Sequence, residues 1–452
     1  MRPLTSAAVD GVRLGKHDEE KRARTYAAAR YPPTSMHAAD APSLTHAAPW
    51  PARGSYEPGF EPVAKTFARL LAAREEIGAG FVVHHRGRRV VDVWGGHADA
   101  RAKRPWEADT RAVVFSVTKG LAAMALNMLA DRGRLDWDAT VASVWPGFAR
   151  AGKERITLRT LFNHRAGLPY LDAHITLSTC IERWDLAVDA IERQRPAWEP
   201  ERGQGYHALT FGIFAREIFE RLAGESMGTF LKREVFDPLG SDARLGTEEA
   251  FDAKMSTLYP PSGPGRIGKM THALVTDPEG LEARMMRNVV SPRSIARRAF
   301  SSPRPDGGLA VYGTPKVWRA ELPWASATAS ARGISRAYLP FASGGEHAGR
   351  RYARAETLAT IARRQGWSER DAVLNKPVGW SQAFLKEEPQ LFSPELSSFG
   401  HAGLGGALGW CDPVNELAIG YVLNRLDWHV RSPRAIALCR SLYACDPVRE
   451  RG

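Results

Sequence analysis

The sequence predicts an α+β fold: an antiparallel sheet built from both ends of the chain, flanked by helices, with a mostly helical subdomain inserted between. Three observations carry this. Near the start, Gly80-Phe81-Val82-Val83-His84-His85 and Val90-Val91-Asp92-Val93-Trp94 flank an Arg86-Gly87 turn, a β-hairpin closed by Gly95-Gly96. Near the end, 406–412 and 417–424 flank a Pro413-Val414-Asn415-Glu416 turn and read as a second strand pair. Between them, from about 134 to 340, helical periods separated by Pro and Gly dominate, clearest over 211–222 and 229–236.

In chain order, residues 1–57 mix charge, Ala and Pro without a sustained period and read as an extension, partly irregular, with a short helix over 18–30. From Glu61 the pattern changes, and Val63, Phe67, Leu70 and Leu71 mark an amphipathic helix. The hairpin follows. A short apolar run over 112–115 then leads into a helix from Ser116 to about Ala130, with Gly133 as its stop. A closing helix is expected over 433–443, and 446–452 form a tail. No internal repeat is present.

The bulk numbers bound the function. At 452 residues, 44% hydrophobic and 25% charged, the chain has ordinary globular composition. No apolar run is long enough to span a membrane, and the start lacks the apolar core of a secretory signal, so a cytoplasmic protein is expected. Four cysteines (Cys180, Cys411, Cys439, Cys445) show neither metal-ligand spacing nor a disulfide framework. Net charge is +12, with locally basic stretches at 284–304 and 350–364. Neither stretch interleaves aromatic residues as a single-strand platform does, so an Arg-rich solvated surface is the better account and no nucleic-acid partner is expected. No metal or cofactor is expected either. His84 and His85 face opposite sides of a strand, His164 and His174 lack ligand partners at useful spacing, and there is no phosphate-binding Gly loop.

The chemistry concentrates in three places. Ser116-Val117-Thr118-Lys119 puts a hydroxyl and an amine three residues apart on one helix face, so Lys119 reaches Ser116 Oγ without help from elsewhere. A serine needs an adjacent base to become a nucleophile, and a helix N-terminus favours a developing oxyanion. The alternative is a serine capping a core helix with the lysine snorkelling outward. Tyr206 follows two glycines in Gly203-Gln204-Gly205-Tyr206-His207-Ala208, which suits a loop presenting a phenol to a cleft. Such a phenol is a base only if a cation such as Lys119 lowers its pKa; otherwise it is a packed tyrosine at a helix entry. Phe399-Gly400-His401-Ala402-Gly403-Leu404-Gly405-Gly406 permits close backbone approach by a ligand and could complete an oxyanion hole with the Ser116 N–H, or it is a turn or bulge into the next strand. Gly224-Glu225-Ser226-Met227-Gly228 fits the G-x-S-x-G pattern, but helical spacing precedes it, so Gly224 reads as a helix C-cap and Ser226 as the next N-cap.

Taken in order and at these separations, Ser-Val-Thr-Lys, Tyr-His-Ala and His-Ala-Gly resemble the serine beta-lactamase-like family. That family holds class C beta-lactamases, D-alanyl-D-alanine carboxypeptidases, family VIII carboxylesterases and related acyltransferases. Val91-Asp92-Val93-Trp94-Gly95-Gly96, the stretch from Leu161 to Pro169 and the strands from His401 to Asn424 are similar too. The resemblance covers roughly 58–445 and leaves the first 57 residues outside. It implies a beta-lactamase/penicillin-binding-protein-like catalytic domain, with an α/β part at about 58–115 and 340–445 and a helical insert at about 134–340. By the same match, Ser116 is the nucleophile, Lys119 its partner, and Tyr206 the general base that protonates the leaving group. Ser116 and Leu404 would supply the oxyanion N–H groups, and His401 and Gly403 would stand in the substrate-binding strand motif.

Two departures narrow the substrate. His401 replaces the lysine that begins the third motif in lactamases and peptidases, so a permanent cation becomes a mostly neutral ring. Ala208 stands where those enzymes usually carry asparagine, which removes an amide contact. The expectation is a serine hydrolase of the carboxylesterase type acting on small neutral esters. A beta-lactamase or D-amino-acid peptidase, an acyltransferase and a catalytically silent binding protein of the same fold stay open, as does a homo-oligomer.

Overall fold

The computed structural model describes residues 46–261, 268, 272, 274–386 and 391–450. Most of the N-terminal extension, including the helix expected over 18–30, lies outside the described residues, as do 451–452. Where the extension becomes described it forms β1 (His46–Ala47) and β2 (Arg53–Tyr56). Helix α1 (Glu61–Ala72) follows, and Val63, Phe67, Leu70 and Leu71 are all buried, as their spacing predicts. The hairpin is β3 (Gly78–His85) and β4 (Arg88–Asp99). Gly95-Gly96 does not close it: β4 runs through both glycines to Asp99, and β5 (Arg104–Pro105) pairs with its far end. The glycines serve close approach instead. A Cβ on Gly96, whose φ is +80°, would sit 2.0 Å from the Ile77 carbonyl oxygen, and one on Gly95 would meet Leu71.

Strand β6 (Ala112–Val113) leads into helix α2 (Val117–Asp131). Every residue of α2 from Val117 to Leu129 is buried, so this is a central helix with no solvent face. Each fully buried Leu or Met in it stabilises the fold by roughly 2 kcal/mol. It ends as expected: Gly133 takes φ +71°, donating to Ala130, while Arg134 donates to Leu129. In the helical region, α3 (Thr210–Ala223) closes on Gly224 at φ +70°, and the Ser226 hydroxyl then caps the N–H of Thr229. A helix rather than a strand precedes Ser226, so the G-x-S-x-G segment is two helix caps and not a nucleophile elbow. The helix expected over 229–236 is an α-helical turn, Met227–Leu231, continued by a π-helical turn, Lys232–Phe236.

Helix α4 (Leu281–Val290) is followed by β7 (Thr328–Ala329), which pairs with β6, and by α5 (Ala331–Ala342). A small hairpin, β8 (Glu346–His347) and β9 (Arg350–Arg351), precedes the strands β10 (Gly366–Ser368), β11 (Val378–Ser381) and β12 (Phe384–Lys386). The chain finishes with β13 (Phe399–Ala402), β14 (Leu408–Asp412), β15 (Leu417–Leu423) and α6 (Pro433–Tyr443). The main sheet has the order β1-β2-β4-β3-β15-β14-β13-β12-β11-β10, and every pair is antiparallel. Early β3 pairs with late β15, from Ala79 opposite Leu423 to His85 opposite Leu417, so the sheet is joined from both ends of the chain.

Its two faces are covered by different helices. His84 meets Ser335 of α5 at 2.7 Å, whereas the next residue, His85, meets the Phe60 ring just before α1. Gly420 lets α5 close on the sheet, because a Cβ there would lie 2.2 Å from the Ala331 carbonyl oxygen. Helix α6 packs against α1. Helix α2 packs against α3 and against β12 and β13. That packing puts the start of α2 between the sheet and the helical region. Among the described residues, no helix is long and apolar enough to cross a membrane.

Candidate functional site

Phe115 takes a left-handed conformation, φ +47°, at the junction of β6 and α2, and turns Ser116 onto the helix N-terminus. The Ser116 side chain makes no capping bond. Its Oγ instead accepts from Lys119 Nζ at 3.0 Å and from the Tyr206 hydroxyl at 3.2 Å. Lys119 is fully buried, and its Nζ also donates to the Trp324 carbonyl at 3.0 Å. The alternative of a capping serine with an outward lysine is therefore not the geometry found. Burial holds the Lys119 ammonium well below the usual lysine range, since nothing solvates the charge.

Tyr206 arrives on its glycine-bearing loop and is held from three sides. Its backbone N–H donates to Asp371 Oδ1 at 3.0 Å, and the same oxygen takes the N–H groups of Val373 and Leu374 at 2.9 Å each. Its ring stacks on Trp380, centroids 5.4 Å apart and planes 8° from parallel, and the His164 ring meets it edge-on at 5.2 Å. His164 Nδ1 accepts from the His207 N–H at 3.0 Å, which leaves the proton of the neutral ring on Nε2. Burial, then the neighbouring His207 and Lys119, keep His164 well below its ordinary titration range, so it stays neutral. Asp371 is completely buried, and burial raises its pKa against the pull of those N–H groups.

The glycine-rich segment divides. Phe399–Ala402 is strand, and Leu404–Gly406 is a tight turn with Gly405 at φ +82°. Gly403 donates to Ala407 at 2.7 Å and Gly406 to Gly403 at 3.1 Å, which braces the turn on both sides of Leu404. Ala402, Gly403 and Leu404 line a cavity of about 310 Å³ that also takes in Ser116 and Tyr206. His401 is not on that wall. Strand alternation turns it inward, 2% exposed, toward Tyr206 at 6.0 Å, and its Nδ1 donates to the Ala402 carbonyl at 2.9 Å. Burial first, then Lys119, lower its pKa well below the histidine range, so the ring carries no charge. Elsewhere the cavity wall is mainly apolar, with Met285, Met286 and Val289 of α4 joined by Phe300, Leu309 and Trp324. Ala208 also lines it.

Lys119 and Tyr206 are thus each brought within hydrogen-bond reach of Ser116 Oγ, with Gly403 and Leu404 across the same cavity and His401 behind. Three contributors are not among the residues the sequence singled out: Asp371, Trp380 and the Trp324 carbonyl. Asp371 leaves the clearest trace, an aspartate at a turn whose side chain takes the N–H two residues on. Among the described residues no group of three or more His, Cys, Asp or Glu is placed to hold a metal ion. The arrangement can move a proton between a hydroxyl at the cavity wall and a buried amine and phenol.

Comparison with known proteins adds the following. The beta-lactamase family model matches residues 63–442. The esterase/beta-lactamase LipL of Mycobacterium tuberculosis (strain ATCC 25618 / H37Rv) is 32% identical over 381 residues, covering 82% of this chain and 83% of its own. Among solved structures, a family VIII carboxylesterase superposes with a TM-score of 0.76 at 30% identity, over 87% of this chain and 99% of that one. A penicillin-binding protein homologue from Caulobacter crescentus gives 0.74 at 29% identity, over 87% and 99%.

Proposed function

We propose, from the premise that this chain belongs to the beta-lactamase family, that it hydrolyses small neutral esters through an acyl-enzyme on Ser116. It is a serine hydrolase of that family. The observation that carries the proposal is the double contact at Ser116 Oγ, with a buried amine on one side and a buried phenol on the other. The pair holds one mobile proton in either of two forms, neutral amine with neutral phenol or ammonium with phenolate, related by proton transfer through the serine hydroxyl. In either form a base faces Ser116.

The steps follow from that. Ser116 Oγ attacks the ester carbonyl carbon while its proton passes to the Lys119–Tyr206 pair. The carbonyl oxygen becomes an oxyanion facing the backbone N–H groups of Ser116 and Leu404. The tetrahedral carbon then expels the alkoxide, and Tyr206 returns the proton to it, releasing an alcohol and leaving the acyl group on Oγ. Water repeats the sequence and frees the acid.

The neutral, small ester is supported by a mainly apolar cavity wall, whose charged members Glu282 and Arg431 are of opposite sign, and by the ring that lies behind that wall. A buried neutral ring, His401, replaces a permanent cation, and Ala208 offers no amide. A cavity of about 310 Å³ is in the range of small-molecule sites. Four buried, unpaired cysteines fit a reducing compartment, and we place the enzyme in the cytoplasm.

The test is p-nitrophenyl butyrate hydrolysis by the wild type beside Ser116→Ala, with the intact mass recorded during turnover. We expect the variant to lose at least about 10³-fold and the wild type to gain one butyryl group on Ser116. Equal rates in both would mean another residue is the nucleophile. Faster turnover of nitrocefin than of the ester would move the reading to a beta-lactamase.

A further inference from the structure

We propose that Arg434 is a positioning residue for the oxyanion site, holding the turn at 404–406 so that the Leu404 N–H faces the substrate carbonyl. This rests on the reading of Ser116 and Leu404 given above. Arg434 lies in the first turn of α6, in no contact with Ser116, and is only 4% exposed. Its guanidinium is engaged along its whole edge. Nη2 donates to the Gly405 carbonyl and to the Arg425 carbonyl, both at 2.9 Å. Nη1 donates to Glu76 Oε2 at 2.5 Å and to the Glu75 carbonyl at 3.1 Å. Nε points to Ser432 Oγ at 3.4 Å and Asp427 Oδ2 at 3.6 Å. All five donors have acceptors, the condition under which a buried arginine is tolerated.

The placement of those acceptors gives the residue its role. Gly405 immediately follows Leu404, and its carbonyl takes a second hydrogen bond, from the Asp427 N–H at 3.0 Å. The turn has no slack on its other side either. A Cβ on Gly405 would sit 2.4 Å from Leu426 Cδ2, so the backbone is pressed against the segment that Arg434 also holds through Arg425. The fork is anchored in turn by Glu76, whose other oxygen accepts the Tyr421 hydroxyl of β15. A chain of planar, directional contacts therefore runs from the central strands to the turn beside Leu404. Lysine cannot reproduce it, because one ammonium cannot bridge Glu76 and two backbone carbonyls in one plane. Oxyanion donors act only when correctly placed, and an error near 1 Å costs about 10²-fold in rate.

The experiment compares Arg434→Lys with the wild type, and with Ser116→Ala, on p-nitrophenyl butyrate, counting folded sites by fluorophosphonate labelling. n-Butylboronic acid, which forms a tetrahedral adduct on a nucleophilic serine, serves as the second probe. For Arg434→Lys we expect kcat per labelled site to fall about 10- to 100-fold, KM to move less than about threefold, and the boronate Ki to rise by the same factor as kcat falls. A merely structural role would lower the melting temperature and leave kcat per site and Ki unchanged, which overturns the proposal. A rise in KM alone overturns it as well. If Arg434→Lys does not fold, Glu76→Gln loosens the anchor while keeping an oxygen for Nη1. There, a severalfold drop in kcat with a matching rise in Ki supports the role, and unchanged values overturn it. Ser116→Ala separates the two ideas: inactivity there with unaffected Arg434 variants rejects only Arg434, while retained activity rejects both.

Discussion

At position 119 a full positive charge would sit without water in a completely buried site, and burial drives the lysine toward its neutral form. The form that has lost a proton is the one that accepts the Ser116 proton, so the sign is fixed. Ester hydrolysis should fall as pH drops and rise with pH through one apparent pKa, lying below the ordinary lysine value and belonging to the Lys119–Tyr206 pair. Lys119→Arg keeps the charge permanently and leaves the Tyr206 phenolate as the base facing Ser116, and we expect a loss of about 10³-fold or more at neutral pH. A pH–rate profile of kcat/KM measures this, and an Arg variant with the wild-type rate and profile would show that position 119 is not part of the base. Ser116 and Lys119 were legible in the sequence because their relation is local, three residues on one helix face. The inward turn of His401 was hidden, since strand alternation tells which residues share a face but not which face meets the cavity.

Between elements, the loop that carries Tyr206 is fixed by a carboxylate 165 residues further on. Asp371→Ala would strip an acceptor from three buried backbone N–H groups, for a stability loss of roughly 2–4 kcal/mol. It would also free Tyr206 to shift, so kcat should fall about tenfold or more. Asp371→Asn keeps one carbonyl oxygen for those N–H groups and should do less on both counts. Urea unfolding together with steady-state kinetics tests the pair; full kcat in a destabilised Ala variant would make Asp371 a packing residue only. At this scale the sequence was legible where periods were long. Helix α1, helix α2 and the β14–β15 pair stand where their patterns put them, within a few residues. The strands β10 to β12 were not read at all. They are three or four residues long, and the two-residue turn between β11 and β12 is Gln382-Ala383, with φ +44° and +72°, where a turn of that shape normally advertises itself with Asn or Gly. The same holds for Gly95 and Gly96, which look like a stop and are close-approach points within a longer strand.

Across the whole molecule, joining β3 to β15 and closing helices on both faces leaves ionisable rings in dry places. His84 and His207 are lowered to about 3 and His85 to about 4, in each case chiefly by burial, and His164 and His401 are lowered in the same direction. The sheet helices, the helical region and the site each hold part of this set, so protonation is resisted everywhere at once. Unfolded, these rings titrate near 6.5, so as pH falls through that value the unfolded chain binds protons that the folded chain refuses. Stability present above 6.5 is therefore lost below it. Glu76 works the other way, since burial pushes it up to about 7 against the pull of Arg434, and it offsets about one of the histidines. Between pH 7.5 and 5.5 the net loss should be on the order of 5 kcal/mol, a large share of the stability of a typical domain. Thermal unfolding at those two pH values checks it, and calorimetry in buffers of different ionisation enthalpy should register net proton uptake on unfolding at the lower one. An unchanged melting temperature would mean that the buried rings take up protons within the fold. In that case activity loss in mild acid would report on the site alone, whereas a falling melting temperature would tie it to the fold that holds Ser116, Lys119 and Tyr206 together.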